Sequence, residues 1–306
     1  MLRSVAQVSI AATIATLMAV ILIVFLVGGT GAQALCWAVG AMLATRVMPI
    51  LASFPVAYWP RRDHRVPALG MLMLTRVVAR EIWATMKLFF FYHPFEGVMA
   101  RREPGRVTPG ETPIVLVHGF FANAGFWHRI EPALRAAGWH NLYSINLEPP
   151  FTAIDGYARQ LRERVEYACL QSGSDSAVVV AHSMGGLVAR ACARQVPGRI
   201  HRMVCLGTPH HGTWMARLVG WKTTRQMRPG SDWLRRLNMD CSDNKRVTNI
   251  FSEHDNIIVP QGNAALEGAD NLSVHAVGHL DMAFSPVVRR MLCDLLDQIG
   301  PALPAR

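Results

Sequence analysis

From residue 113 onward, short runs rich in β-branched residues alternate with segments of helical length. This alternation is typical of a mostly parallel sheet covered by helices on both faces, because parallel strands need long crossover connections. The pattern predicts strands at 114–118, 142–146, 177–182, 202–206, 247–252 and 272–276. It predicts helices near 125–137, 153–172, 184–195 and 286–299. In such α/β folds ligands bind at the carboxyl ends of the strands.

The third predicted strand runs directly into Ser183, in the segment Ala181-His182-Ser183-Met184-Gly185. A serine between small residues, after an apolar strand and before a helix, indicates a nucleophile elbow that holds the hydroxyl above the sheet. Gly185 allows the helix and strand backbones to approach closely. The alternative is an ordinary serine at a helix N-cap. We expect His182 to point away from the nucleophile and to be structural.

A nucleophilic serine needs a base, and the base needs an acid that orients it. Asp255 follows the fifth predicted strand, and His279 lies in the loop after the sixth. Both positions are at carboxyl ends, so we expect the two side chains to converge on Ser183. Alternatives exist for each role: Glu253 and Asp281 for the acid, and His275 for the base.

The same chemistry needs two hydrogen-bond donors for the oxyanion of the tetrahedral intermediate. One is usually the backbone N–H after the nucleophile, and the other comes from a loop after an early strand. Met184 supplies the first. Phe120 supplies the second, because it lies in the His118-Gly119-Phe120 loop after the first predicted strand. The alternative is that His118-Gly119 is only a turn that ends the strand.

Five segments carry a family resemblance: IVLVHGF (114–120), VAHSMGG (180–186), LGTPHHGT (206–213), SEHDNIIVPQ (252–261) and VGHLDMAFSP (277–286). In order and spacing they resemble the bacterial lipase branch of the α/β-hydrolase superfamily over about 110–300. The resemblance implies an α/β-hydrolase fold and triacylglycerol lipase or carboxylesterase activity without a cofactor. It also implies Ser183, Asp255 and His279 as catalytic triad, with Phe120 and Met184 as oxyanion donors. The first third of the chain has no counterpart in the secreted lipases.

A stretch of more than thirty residues between the fourth and fifth predicted strands, about 210–245, is both apolar and basic. It could form a lid-like cap over an acyl pocket and rest on anionic lipid, or it could be a plain pair of surface helices. The candidate substrate-binding residues come from this stretch and from the loop after Phe120: Phe121, Trp127, Trp214 and Met215. The adjacent His210 and His211 lack a third ligand at metal-binding spacing, so no metal site is predicted.

The N-terminal residues 4–27 are uncharged and almost wholly apolar, long enough at about 1.5 Å per residue to cross a bilayer core of about 30 Å. Residues 32–52 are again apolar except for Arg46, which favours a helical hairpin of two spans over a single span. A cleavable signal peptide is the alternative, with Gly31-Ala32-Gln33-Ala34 as a possible cleavage site.

Residues 1–110 carry eleven Lys/Arg against four Asp/Glu, whereas 111–306 carry twenty against seventeen. The basic excess therefore lies beside the apolar segments, as expected for a region that meets anionic headgroups. With a hairpin, Arg3 and the cluster of Arg61, Arg62 and Arg65 lie on one side, which the positive-inside rule makes cytoplasmic. This favours a bacterial inner-membrane protein with a cytoplasmic enzyme; a single span would place the enzyme on the other side.

Residues 68–92 mix apolar residues with Arg76, Arg80 and Lys87 on one helical face. The segment is either a helix at the membrane interface or one packed on the catalytic domain. The sequence thus divides into a membrane anchor at 1–60, an amphipathic helix and linker at 61–110, and a catalytic domain at 111–306.

We therefore expect a membrane-anchored serine ester hydrolase whose partners are membrane lipids and a lipid or acyl-ester substrate. Phospholipase, thioesterase and acyltransferase activity would use the same triad, and a catalytically silent membrane scaffold is the alternative of another class. The basic excess has no base-reading motif beside it, which disfavours a nucleic-acid partner. The six scattered cysteines predict no disulfide framework. The sequence leaves the oligomeric state, acyl-chain length and headgroup preference undefined.

Overall fold

The computed structural model describes residues 4–58 and 68–300. Its centre is a six-stranded, all-parallel sheet in the order β2-β1-β3-β4-β5-β6. The strands are β1 Ile114–Val117, β2 Leu142–Ile145, β3 Ala177–His182, β4 Ile200–Leu206, β5 Val247–Ser252 and β6 Asp270–Val274. All six predicted strands are present. The sixth ends two residues earlier than predicted, because Ala276 has a φ of 54° that is incompatible with an extended strand.

Helices of the described residues precede and cover this sheet. They are α1 Val5–Leu26, α2 Gly31–Tyr58, α3 Met71–Lys87, α4 Glu96–Met99, α5 Glu131–Ala136, α6 Ile154–Ser172, α7 Met184–Ala193, α8 Lys222–Gln226, α9 Asp232–Met239 and α10 Pro286–Ile299. A π-helical turn, Leu88–Tyr92, continues α3. The helix predicted at 125–137 is instead a 3₁₀ helix, Ala124–Arg129, followed by the short α5.

Strands β1, β2 and β3 are buried along their whole length, whereas the edge strand β6 is mostly exposed or half-buried. Successive residues of β1 belong to two different cores. Val115 and Val117 pack with residues of α6, α7 and α9 on one face. Ile114 and Leu116 pack with residues of α5, α10 and the π-helical turn on the other. The sheet is therefore the middle of three layers. Helices cover its two faces, and the loops that follow the strands lie at its carboxyl edge.

The first two helices pack against each other as a hairpin, in which the Arg46 guanidinium of α2 donates to Thr13 Oγ1 of α1 at 3.1 Å. Both are long and apolar enough to cross a membrane, with a mean hydropathy of 2.7 over Gln7–Leu26 and 1.6 over Gly31–Tyr58. A signal sequence would satisfy the same criteria. Arg3 and the cluster of Arg61, Arg62 and Arg65, from which we predicted the orientation, lie outside the described residues.

Helix α3 packs on the catalytic domain, which was one of the two alternatives for residues 68–92. Its Val77 is fully buried in a small core with Ile50 and Phe54 of α2 and Ala276 of the loop after β6. Away from this core, α3 exposes large apolar side chains, including Met71 and Leu72. The last turns of α2 and the middle of α3 are thus in direct contact with the loop that follows β6.

Candidate active site

Ser183 lies at the turn between β3 and α7, where the sequence predicts a nucleophile elbow. Its φ of 55° is in the left-handed region, which costs free energy for a non-glycine residue and is common at functional sites. The Ser183 N–H donates to Leu206 O at 2.8 Å, so β4 holds the turn. A Cβ at Gly185 would lie 2.6 Å from Val117 O, which explains why glycine is needed there. The turn holds Ser183 at the carboxyl edge of the sheet.

His279 connects Ser183 to Asp255 within a buried cluster. Its Nε2 is 3.0 Å from Ser183 Oγ, and its Nδ1 is 2.7 Å from Asp255 Oδ2. An ionised carboxylate only accepts hydrogen bonds, so Nδ1 carries a proton and donates it to Asp255. In a neutral ring this leaves the Nε2 lone pair facing the serine hydroxyl. The structure therefore brings together the three side chains that the sequence placed in the triad.

The Asp255 carboxylate is held by its own loop as well as by His279. Its Oδ1 accepts from Ile257 N at 2.7 Å and from Ile258 N at 2.8 Å. The alternative acids have other partners: Glu253 lies 3.2 Å from His275 Nδ1, and Asp281 forms an ion pair with Arg80 at 3.2 Å. Among these carboxylates, Asp255 is the one that is hydrogen-bonded to His279.

Burial alone would lower the pKa of His279, since it disfavours the charged imidazolium. The charge and hydrogen bond of Asp255, together with the charge of Glu81, outweigh burial and raise the pKa of His279 above its ordinary value. The site is thus arranged to stabilise an imidazolium, which is the state that a general base reaches after it accepts a proton.

His182 contributes more to the site than the sequence suggested. We expected it to point away from the nucleophile, and its ring does stack on Phe126 in the core at a centroid distance of 4.1 Å. However, its Nε2 also donates to the His279 carbonyl at 3.2 Å. Burial, and then the charge of His279, lower the pKa of His182 well below its ordinary value, so it is a neutral donor. Its position beside Ser183 was the available signal, but the sequence does not reveal its partner.

The loop of Phe120 lies directly against the nucleophile. A Cβ at Gly119 would lie 2.9 Å from Ser183 Cβ, so a side chain there would collide with the serine. His118 fixes this loop, because its Nδ1 donates to Gly119 O at 2.8 Å and its Nε2 accepts from Leu147 N at 3.0 Å. Burial lowers the pKa of His118 to about 4, which keeps the ring neutral and able to do both.

The other proposed oxyanion donor, Met184, is the first residue of α7. The N–H groups in the first turn of a helix have no intrahelical acceptor, and the helix dipole favours negative charge there. The N–H groups of Phe120 and Met184 therefore belong to the two segments that border Ser183. The sequence predicts that His118-Gly119 belongs to the oxyanion loop, with a plain strand-ending turn as the alternative, and the role of the His118 ring in fixing the loop follows only from the structure.

One of the four candidate substrate-binding residues is misplaced. Trp127 is 0% exposed and packs with Phe126 and Leu88 in the core, so its ring has no surface for a substrate. The prediction failed because the 3₁₀ helix Ala124–Arg129 directs this ring into the core on one face of the sheet, with Ile114 and Leu116. Trp214 and Met215 are half-buried in the 3₁₀ helix Trp214–Arg217 of the insertion.

Phe121 belongs to an aromatic cluster beside the oxyanion loop. It stacks on Phe151 at 5.9 Å, and Phe151 stacks on Trp221 at 3.9 Å; Phe120 lies 5.8 Å from both of these rings. Phe151 and Trp221 were not among the predicted substrate-binding residues. They come from the loop after β2 and from the insertion, and no local pattern in the sequence links them.

In the part of the chain that the structure describes, one group of side chains has the residue types and spacing to be considered as a metal site. Glu253, His254 and His275 form a group whose potential ligand atoms lie within 4.8 Å of one another. Nδ1 of His254 already accepts from Ala276 N at 3.2 Å, so this nitrogen is engaged by the backbone. His210 faces the Arg190 guanidinium at 3.4 Å, and a cation beside it disfavours a second positive ion.

Comparison with known proteins agrees with this architecture. The alpha/beta hydrolase fold family matches residues 112–223. A triacylglycerol lipase of Pseudarthrobacter phenanthrenivorans is 32% identical over 116 residues, which cover 35% of this chain and 36% of that lipase. A triacylglycerol lipase of Burkholderia plantarii is 32% identical over 116 residues, covering 35% of this chain and 32% of the relative. The matched region thus spans about a third of the length of these relatives.

Solved structures resemble a larger part of the chain. The mature form of Bacillus licheniformis lipase BlEst2 has a TM-score of 0.54 at 18% identity and covers 62% of this chain and 94% of that one. Aspergillus fumigatus lipase B has a TM-score of 0.56 at 20% identity, covering 66% of this chain and 57% of its own. The α/β-hydrolase fold predicted from the sequence is therefore confirmed.

Proposed function

We propose that this protein is a membrane-anchored serine ester hydrolase of the lipase or carboxylesterase type. The observation that carries the proposal is the continuous hydrogen-bonded path Asp255–His279–Ser183 beside the Phe120 loop. A nucleophile, a base and an orienting acid in this arrangement are the requirements for acyl transfer by a serine. The similarity to triacylglycerol lipases supports an acyl ester as the substrate.

In the proposed reaction, Ser183 Oγ attacks the ester carbonyl while His279 Nε2 takes the hydroxyl proton. Asp255 stabilises the resulting imidazolium, and the N–H groups of Phe120 and Met184 donate to the oxyanion. His279 then gives its proton to the leaving alcohol, which leaves an acyl group on Ser183. Water, activated by His279, attacks the acyl-enzyme and releases the acid. Phospholipase, thioesterase and acyltransferase reactions share the first half of this sequence.

The aromatic cluster of Phe120, Phe121, Phe151 and Trp221 favours a substrate with an apolar acyl group. It provides a large apolar surface beside the residue whose N–H we propose as an oxyanion donor. Trp221 remains 41% exposed and its neighbour Leu218 is 74% exposed, so this part of the insertion presents apolar side chains outward. An acyl chain lying along the cluster would bury that surface.

The membrane part of the proposal rests on the exposed apolar surface of the N-terminal hairpin. Met18, Leu22 and Leu26 of α1 and Leu35 and Trp37 of α2 are all more than half exposed. A contiguous apolar surface of this extent marks contact with lipid or another apolar partner. We therefore propose that the hairpin is inserted in the bacterial inner membrane with the enzyme on the cytoplasmic side. This placement would let lipid substrates reach the active site from the bilayer.

The test is hydrolysis of p-nitrophenyl acyl esters by the full-length protein in detergent. Ser183→Ala should reduce kcat/KM by at least about 10³-fold, because the nucleophile is lost. Ser273→Ala is the matched control, since that exposed serine lies on β6 and contacts Glu253. A fluorophosphonate should label the wild type but not Ser183→Ala. Activity retained in Ser183→Ala, or an unlabelled wild type, would contradict the proposal and favour a silent scaffold.

Acyl-chain length distinguishes a lipase from an esterase of water-soluble substrates. With esters of two to sixteen carbons, the wild type should prefer the longer chains, and Trp221→Ala should reduce kcat/KM for those chains more than for acetate. A preference for acetate in both proteins would remove the lipid-substrate part of the proposal while leaving the serine hydrolase part intact.

A further inference from the structure

Helix α3 carries one carboxylate into the catalytic domain. Glu81 is 0% exposed, and its carboxylate accepts hydrogen bonds from Leu280 N at 2.9 Å and from Asp281 N at 2.9 Å. These are the two residues that follow His279. On the other side of His279, a Cβ added to Gly278 would overlap the Glu81 carboxylate. The glutamate therefore lies against the main chain on both sides of His279.

Helix α2 reaches the same loop by a second route. Asn256 Oδ1 accepts from the His279 N–H at 3.1 Å, and Asn256 Nδ2 donates to Ser53 Oγ at 2.8 Å. Ser53 in turn donates to Ile50 O, one turn earlier in α2, at 2.7 Å. Ser53 and Asn256 are both fully buried. The backbone of His279 is thus connected through one side chain to the second apolar helix.

We propose that Glu81 and Ser53 are positioning residues that hold His279 in line with Ser183, so that the N-terminal helices are a working part of the active site. This inference rests on the proposed serine hydrolase function. It extends that function, because a membrane anchor as such needs no buried polar contact with the base. Displacement of α3 from the domain would leave the N–H groups of Leu280 and Asp281 without their Glu81 acceptor, and displacement of α2 would leave Asn256 without Ser53.

A carboxylate at this position also affects the charge of the base. Burial raises the pKa of Glu81 to about 7, although the N–H groups of Leu280 and Asp281 and the charge of His279 lower it. When ionised, Glu81 is one of the groups that raise the pKa of His279. Among the described residues, the other charged or titratable groups around the loop are Asp255, His182, His254, the pair of His275 with Glu253, and the ion pair of Arg80 with Asp281.

The experiment compares Glu81→Ala, Glu81→Gln and Ser53→Ala in the full-length protein in detergent. Glu81→Ala removes both acceptors and should lower kcat at least tenfold with little change in KM. Glu81→Gln keeps one acceptor oxygen and should retain most of kcat. Because Glu81→Gln removes a negative charge near His279, the acid limb of its kcat/KM profile should move to lower pH by about half a unit or more. Ser53→Ala should lower kcat severalfold without moving that limb.

Glu111 is the matched control for a purely structural effect. It is also buried, and its Oε1 accepts from His140 N at 2.7 Å and from Asn141 N at 3.0 Å, at the amino edge of the sheet. Glu111→Gln should leave the pH midpoint of kcat/KM unchanged. A pH midpoint of Glu81→Gln equal to the wild type, with wild-type kcat in Ser53→Ala, would overturn the inference.

Failure of this inference can be separated from failure of the proposed function. If Glu81→Ala does not fold, Glu81→Gln and Ser53→Ala still decide the question, because each removes fewer contacts. If those two variants behave as the wild type while Ser183→Ala remains inactive, the helices do not position the base but the serine hydrolase stands. Activity that survives in Ser183→Ala instead defeats both.

Discussion

The two loops that border Ser183 are held in different ways. The oxyanion loop is fixed by the sheet domain itself, through His118 to Gly119 and to Leu147 of the loop after β2. The histidine loop depends on the N-terminal helices as well, since Glu81 accepts from Leu280 and Asp281, and Arg80 donates to Ala276 O. The His118 hydrogen bonds that fix the first loop stay within the sheet domain, whereas the hydrogen bonds of the second loop are completed by residues about two hundred positions earlier in the chain. A comparison of variants in the two loops can therefore show whether the site is one unit or two.

The largest loss of activity is expected from a change in Asp255, the acid that orients His279. Asp255→Asn should lower kcat/KM by about 10³- to 10⁴-fold, because an amide does not stabilise the imidazolium and can present an N–H to His279 Nδ1. The measurement is the pH profile of p-nitrophenyl ester hydrolysis. Glu253→Gln is the control, since Glu253 pairs with His275 instead. Equal losses in the two variants would show that the acid has been assigned to the wrong carboxylate.

A smaller effect tests the difference between the loops directly. Gly278→Ala places a Cβ against the Glu81 carboxylate, and we expect about a tenfold loss of kcat from the displaced histidine loop. Glu81→Ala removes the group with which the new Cβ would clash. The double variant should therefore have nearly the same kcat as Glu81→Ala alone, so the two losses of kcat are not additive. The comparison uses His118→Ala, which acts on the oxyanion loop.

The loss from His118→Ala should add to that from Glu81→Ala, because the two residues support different loops and share no partner among their hydrogen bonds. Single-turnover rates of the wild type, the three single variants and the two double variants, all at one pH, provide both double-mutant cycles. Additive losses for Gly278→Ala with Glu81→Ala would contradict the contact between these residues. Strong coupling between His118→Ala and Glu81→Ala would show that the two loops form one unit.

The same contrast explains what the sequence could predict. The six strands and the elbow at Ser183 follow from local patterns, because a buried parallel strand and a tight turn both restrict the residues within a few positions. The positions of Asp255 and His279 follow from the rule that loops at one edge of a parallel sheet converge. These signals are all local or depend on strand order, and they lie in the sheet domain.

The contributions of Glu81, Ser53 and Asn256 leave no comparable pattern. In the sequence Glu81 is one of several charged residues on an amphipathic helix, and Ser53 is a small residue in an apolar segment. Their burial and their partners exist only after α2 and α3 have packed on the loop after β6. The division of the chain at residue 110 stays a prediction, and these hydrogen bonds cross that division. The prediction that Trp127 binds substrate also failed for lack of a local signal. The sequence does not show whether an aromatic residue after a strand will face the active site or the core.

The smallest effect concerns stability. The pKa of Glu81 is raised from 4.5 to about 7 in the folded protein. Between these pH values the folded state holds a proton that the unfolded state has lost, so the contribution of Glu81 to stability falls as the pH rises through this range. Glu81→Gln does not titrate. Its Tm relative to the wild type should therefore increase between pH 5 and pH 8, by a few degrees. Ser53→Ala removes a group that does not titrate, so its Tm difference from the wild type should not depend on pH. A Tm difference for Glu81→Gln that is equally flat would mean that burial against the histidine loop does not raise the pKa of Glu81 in the folded protein.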